Sequence, residues 1–211
     1  MRTALPFACL LALSTYFLDG CTPVLIGAGA AGAYTTLEDR RTTGVQIDDE
    51  GIELRSGNRI SDRFGDKVHV NVTSYNRSVL LTGEVPDART REEIEKIVRA
   101  VPGVIGLSNE LEISGITSLG ARTNDSFITS KVKARFLDAR KFNPVHVKVV
   151  TEGGVVYLMG VVTAREANDA TDLARTMAGV RKVVKIFEHC KESDEVCRPR
   201  PSEPQKPKPA A

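Results

Sequence analysis

Three groups of residues have types and spacings suited to chemistry. The first is the glycine run Gly27–Gly32, GAGAAG, which has the G-x-G-x-x-G form of a turn that cradles a dinucleotide. That chemistry needs a strand before the run, a helix after it and an acidic residue about twenty positions later, all within a βαβ unit. TPVLI is a poor strand, and AYTTLEDRRTTGVQ does not continue as a long amphipathic helix into a second strand. The run therefore reads as a small-residue segment and not as a phosphate loop. The second group is histidine and cysteine. His69 and His146 stand at equivalent places in two similar stretches, and neither has sequence neighbours that complete a metal site, so both read as structural. His189 beside Cys190 has the composition of a base and a nucleophile, but nothing orients the pair. No catalytic constellation and no metal or cofactor site is expected, and the chain does not read as an enzyme. The third group is Phe127 with Lys131 and Lys133, an aromatic among cations on a helical segment.

The elements that must position these residues come from an internal repeat. VHVNVTSYNRSVLLTGEV, Val68 to Val85, matches VHVKVVTEGGVVYLMGVV, Val145 to Val162, and each copy reaches a glycine fifteen residues after its first valine, Gly83 and Gly160. Alternation of Val68, Val70 and Val72 with polar residues marks a half-buried strand, and SYNRS and TEGGV fit hairpin turns. Ile94, Ile97, Val98 and Val101 form a helical stripe in the first copy; Ala167, Ala170, Ala174 and Met177 do so in the second. Gly103 and Gly179 stand where those helices end, and final strands are expected near 104–113 and 180–189.

A helix also precedes each first strand. In the second copy it spans Asn124 to Ala139, with Asn124 or Asp125 as N-cap and Ile128, Val132 and Phe136 as its buried stripe. In the first copy, DDEGIELRSGNRISDRF, Ile52 aligns with Ile128, Ser56 with Val132 and Ile60 with Phe136. Gly57 weakens that helix. At roughly 100° per residue, Phe127 falls far around from the buried stripe, with Lys131 and Ala134 flanking it. Gly51 takes its place in the first copy, near Glu50 and Glu53. An exposed aromatic with lysines suits the acyl boundary and anionic headgroups of a membrane surface.

The 211 residues are 41% hydrophobic and 27% charged, a normal globular balance. A net charge of +2 gives no argument for a nucleic-acid partner. Residues 4–18, ALPFACLLALSTYFL, follow Arg2 and carry no charge, the pattern of a signal peptide. Cys190 and Cys197 flank CKESDEVC; they form either a small disulfide loop in an oxidising compartment or two free thiols. The tail RPRPSEPQKPKPAA is expected to be extended.

Two resemblances extend this reading. Leu18, Gly20 and Cys21 are similar to a bacterial lipobox, with Asp19 departing from the usual small residue. That resemblance implies lipidation at Cys21 and, with Thr22 next, the outer membrane. The helix–strand–strand–helix–strand unit, with VLLTGEV and VYLMGVV and the late PGV and AGV, resembles the BON domain over about 46–113 and 124–189. Together they look like the dual-BON outer-membrane lipoproteins. The expected fold is α+β: two tandem BON domains, each a small three-stranded mixed sheet with two helices on one face. The expected layout is a signal peptide at 1–20, a membrane-proximal linker at 21–45, domains at 46–114 and 124–190, a linker at 115–123 and a Pro-rich tail at 191–211. The resemblance implies a periplasm-facing protein that supports envelope integrity, at the division site among others. It also implies binding of anionic, phosphatidylglycerol-type phospholipid through Ser126, Phe127, Lys131, Lys133 and Ala134. The alternative is an adaptor whose second-domain helix docks onto a protein partner.

Overall fold

A computed structural model describes residues 39–197. The glycine run, Cys21 and the Pro-rich tail lie outside the described residues. The described chain forms two modules of the same design. The first contains α1 (Thr43–Phe64), β1 (His69–Tyr75), β2 (Ser78–Val85), α2 (Ala88–Arg99), β3 (Gly106–Asn109) and β4 (Glu112–Ile113). The second contains α3 (Leu119–Ala139), β5 (Lys148–Glu152), β6 (Val155–Val162), α4 (Ala164–Arg175) and β7 (Lys182–His189).

In each module the middle strand is paired on both sides. β2 runs antiparallel to β1 and parallel to β3 and β4. β6 runs antiparallel to β5 and parallel to β7. The expected last strand of the first module is broken at Glu110 and Leu111. Its register nevertheless runs on, from Leu81 opposite Asn109 to Glu84 opposite Glu112. The break lies where the Asn109 carboxamide accepts from Leu111 N and donates to Glu95, drawing the chain toward α2.

A second difference lies at the start of the second sheet. Val145 and His146 are not in a strand. Residues Pro144–His146 make a 3-10 turn, in which Asn143 Oδ1 accepts from Val145 N at 3.1 Å. Proline fixes its own φ and supplies no N–H for a ladder, so β5 starts only at Lys148. The repeated glycines still have one explanation. A Cβ at Gly83 would overlap the His69 carbonyl oxygen, and a Cβ at Gly160 would overlap that of His146. Each glycine lets the two chain segments approach where the sheet begins.

The two first helices carry the same buried register. Asp49, Ile52, Ser56 and Ile60 are the buried residues of α1, and Asp125, Ile128, Val132 and Phe136 those of α3. Ile52 and Ile60 meet Val79, Leu81, Val85, Ile94 and Val98 in the first core. Ile128, Val132 and Phe136 meet Val149, Val156, Leu158, Ala170 and Ala174 in the second. The second helices end at Arg99 and Arg175, so Gly103 and Gly179 stand in the turns that follow them, at φ 96°, where they lie against Ile52 and Ile128.

The helices cover one face of each sheet, and the other faces meet. Tyr75 and Leu80 of the first module pack with Tyr157, Met159 and Val161 of the second, together with Cys197. Polar ties border this apolar seam. Asn76 donates to Glu188 at 2.6 Å, and Lys148 donates to Glu53 at 2.8 Å and to Ser74 O at 3.1 Å. The segment ahead of α1 crosses it: Arg40 donates to both oxygens of Glu166, at 2.7 and 3.0 Å, and to Val161 O at 2.8 Å. Its neighbour Arg41 turns back to Asp39 and Asp49 and lies 3.9 Å above the Tyr75 ring.

Candidate functional site

The helix that carries Phe127 starts earlier than its sequence pattern suggests. Ser118 is the N-cap, its hydroxyl accepting from Ala121 N at 3.3 Å, and the helix runs from Leu119. The residues 119–123, read as linker, are helical. Asp125 is not a cap. Its two oxygens accept from Gly153 N and Gly154 N, at 2.9 and 2.8 Å, and so fasten α3 to the β5–β6 turn. Asp49 does the same in the first module, accepting from Asn76 N and Arg77 N at 2.9 and 2.7 Å. These two carboxylates hold tight turns whose four central residues, Asn76, Arg77, Gly153 and Gly154, all lie at φ between 52° and 74°.

This fastening fixes the rotation of α3 and therefore its outward face. Phe127 is 62% exposed, and Ser126, Lys133 and Ala134 are also exposed. Lys131 is half-buried: its ammonium donates to Ala178 O at 2.7 Å and lies 4.7 Å from the centre of the Phe127 ring. Lys131 thus props the ring as well as charging its surroundings. Sequence reasoning missed Leu119 and Leu137, which are 78% and 63% exposed. Eighteen residues separate them, about five helical turns, so they stand in line along roughly 27 Å. A helix taken to start at Asn124 hid the first of them, and the search for an aromatic hid the second.

The same face is less polar than its composition implies. Thr123, Ser126 and Ser130 donate their hydroxyls to the carbonyls of Leu119, Arg122 and Ser126, each four residues back, at 3.0–3.1 Å. Those donors are satisfied within the helix, which lowers the cost of taking the face out of water. The first module has no aromatic at the equivalent place, although Ile47 and Leu54 of α1 are 64% and 65% exposed. There α1 carries Gly51, with Asp48 paired to Arg77 and Glu53 to Lys148. Among the described residues no helix is long and apolar enough to cross a membrane.

The remaining sequence candidates are placed as follows. Cys190 and Cys197 are joined by a disulfide. His69 Nδ1 lies 2.9 Å from Glu84 Oε2, whereas His146 Nδ1 lies 3.6 Å from Glu166 Oε1, so the two repeated histidines have different carboxylate neighbours. Burial alone would raise the Glu166 pKa. Bonds from His146, Arg40 and Thr163 N outweigh it and hold the carboxyl well below the usual range. Glu152 is pushed up by burial, partly offset by the bond from Asn71. Burial also raises the Tyr75 and Tyr157 hydroxyls to about 12.

Residues 48–115 and 124–188 match the BON domain. The chain is 38% identical over 178 residues to the outer membrane lipoprotein DolP of Haemophilus influenzae, covering 83% of this chain and 92% of that one. It is 32% identical to a 21 kDa hemolysin of Actinobacillus pleuropneumoniae, over 75% of this chain and 82% of that protein. It is 30% identical to the osmotically-inducible protein Y of Escherichia coli, over 65% of this chain and 70% of that protein. With two BON modules and this extent of identity, the chain belongs to the BON-domain family as a DolP-like outer-membrane lipoprotein of the cell envelope.

Proposed function

We propose that this lipoprotein is tethered through Cys21, faces the periplasm and binds anionic phospholipid with the outward face of α3. It acts without catalysis, as a membrane-binding module that supports envelope integrity, including at the division site. The observation that carries the reading is Phe127, exposed and propped by Lys131, about 80° around α3 from the line of Leu119 and Leu137. Phe127, Leu119 and Leu137 enter the acyl boundary, Lys133 and Lys131 face the headgroups, and Ser126 and Ala134 allow close approach. Each apolar side chain contributes on the order of 2 kcal/mol when fully withdrawn from water. The lysines add about 1 kcal/mol each near an anionic surface.

Co-sedimentation with vesicles tests this. Phosphatidylglycerol-rich vesicles should retain the protein and neutral phosphatidylcholine vesicles should not. Phe127→Ala should lower retention at least roughly tenfold, and added salt should weaken it through screening. Unchanged binding by Phe127→Ala would sink the assignment, and indifference to pure lipid would favour a protein partner at this face.

A further inference from the structure

The seam between the modules holds another cluster of side chains, separate from the outward face of α3. His69 at the start of β1, Glu84 near the end of β2 and Glu152 at the end of β5 each offer a ligand atom, and these atoms all lie within 4.8 Å of one another. The β1–β2 register sets His69 opposite Glu84, while Glu152 arrives from the second module. Glu84 is 3% exposed. Its Oε2 accepts from Thr117 N and Thr117 Oγ1, both at 3.3 Å, and lies 2.9 Å from His69 Nδ1. Glu152 Oε2 accepts from Asn71 Nδ2 at 2.7 Å. The other oxygen of each carboxylate carries no hydrogen bond among the described residues.

Two carboxylates set against one imidazole in a partly buried seam repel each other unless a cation sits between them. The cluster adjoins a cleft of about 420 Å³ bordered by His69 and Glu152, which gives an ion access. Arg122 and Asp125 border it too: Arg122 donates one guanidinium nitrogen to Thr117 O while its buried Nε has no hydrogen-bond partner among the described residues, and Asp125 holds the Gly153–Gly154 turn. One imidazole nitrogen with two carboxylate oxygens is a donor set for a borderline divalent ion such as Zn²⁺, whereas Mg²⁺ and Ca²⁺ favour oxygen alone. Bonds of about 2.0–2.1 Å put tetrahedral donors roughly 3.4 Å apart, so the half-buried Glu152 must rotate inward to close the set. Thr117 and Asn71 supply the outer hydrogen bonds that orient the two carboxylates.

We infer that His69, Glu84 and Glu152 form a Zn²⁺-type cation site, completed by water, that staples the two modules. The full chain in detergent, titrated with zinc chloride by calorimetry and followed by the ¹⁵N shifts of its histidine rings, tests this. One Zn²⁺ per chain should bind at micromolar concentration, perturb His69 and raise the thermal midpoint. His69→Gln and Glu152→Gln should each bind at least roughly tenfold more weakly. His189→Gln, at the exposed end of β7, should bind as the wild type does. If His69→Gln fails to fold, Glu152→Gln carries the comparison. Absence of Zn²⁺ uptake, unchanged binding by Glu152→Gln, or displacement of Zn²⁺ by millimolar Mg²⁺ each overturns the inference.

Discussion

Asp49 and Asp125 show how a single carboxylate sets the orientation of a helix. Each is buried on the inner face of its helix and takes two backbone N–H groups from the facing hairpin turn. Removal of Asp125 strands both donors where water is scarce. Asp125→Ala should therefore lower stability by about 2–3 kcal/mol in denaturant unfolding. The same variant should also weaken vesicle binding, because the face of α3 loses its fixed rotation. The sequence disclosed that an acidic residue stands at this place and that its chemistry is to accept backbone N–H groups. It did not disclose which N–H groups, since the helix start and the hairpin turn ask for the same side chain. Glu152 was silent for a related reason: nothing in the order of residues says that β5 of one module ends beside β1 of the other.

At the scale of elements, local signals decided most of the architecture. Valine alternation, the stripes of α2 and α4, and the glycines at 103 and 179 all point to the elements observed. The exceptions occur where a side chain competes with the ladder. Asn109 interrupts the edge strand, and Pro144 delays β5. The start of α4 shows a stronger local device. The Thr163 hydroxyl accepts from Glu166 N at 3.3 Å, and Glu166 returns a bond from Thr163 N at 2.8 Å. This capping box satisfies two donors at the helix start. Thr163→Ala should cost about 1 kcal/mol in unfolding free energy and leave the vesicle-binding face unchanged.

At the scale of the whole molecule, the seam depends on Glu166 serving two purposes. It caps α4 and also receives Arg40, whose side chain crosses from the segment before the first module. Because the folded pKa of Glu166 is depressed, its contribution is present above the ordinary carboxylate pKa, about 4.3, and is lost only as pH falls through the lower folded value. The wild-type seam should therefore persist at pH 5, with the relaxation times of both modules equal by ¹⁵N NMR. Arg40→Ala should let the modules tumble independently at neutral pH. Equal tumbling in that variant would show that the apolar contacts of Tyr75, Leu80, Tyr157 and Met159, with the Asn76–Glu188 and Lys148–Glu53 ties, hold the seam without Arg40.

The segment ahead of α1 also determines how the protein responds to force. Arg40 grips the second module just before α1 begins, and Cys197 is buried in the seam after β7 ends. A pull on the chain upstream of Asp39 is therefore loaded in shear onto Glu166 of α4 and the Val161 carbonyl of β6. The first helix is shielded from being peeled away turn by turn. Arg40 acts as a strain relief, so detachment of the folded body under tension should begin with rupture of one guanidinium–carboxylate pair.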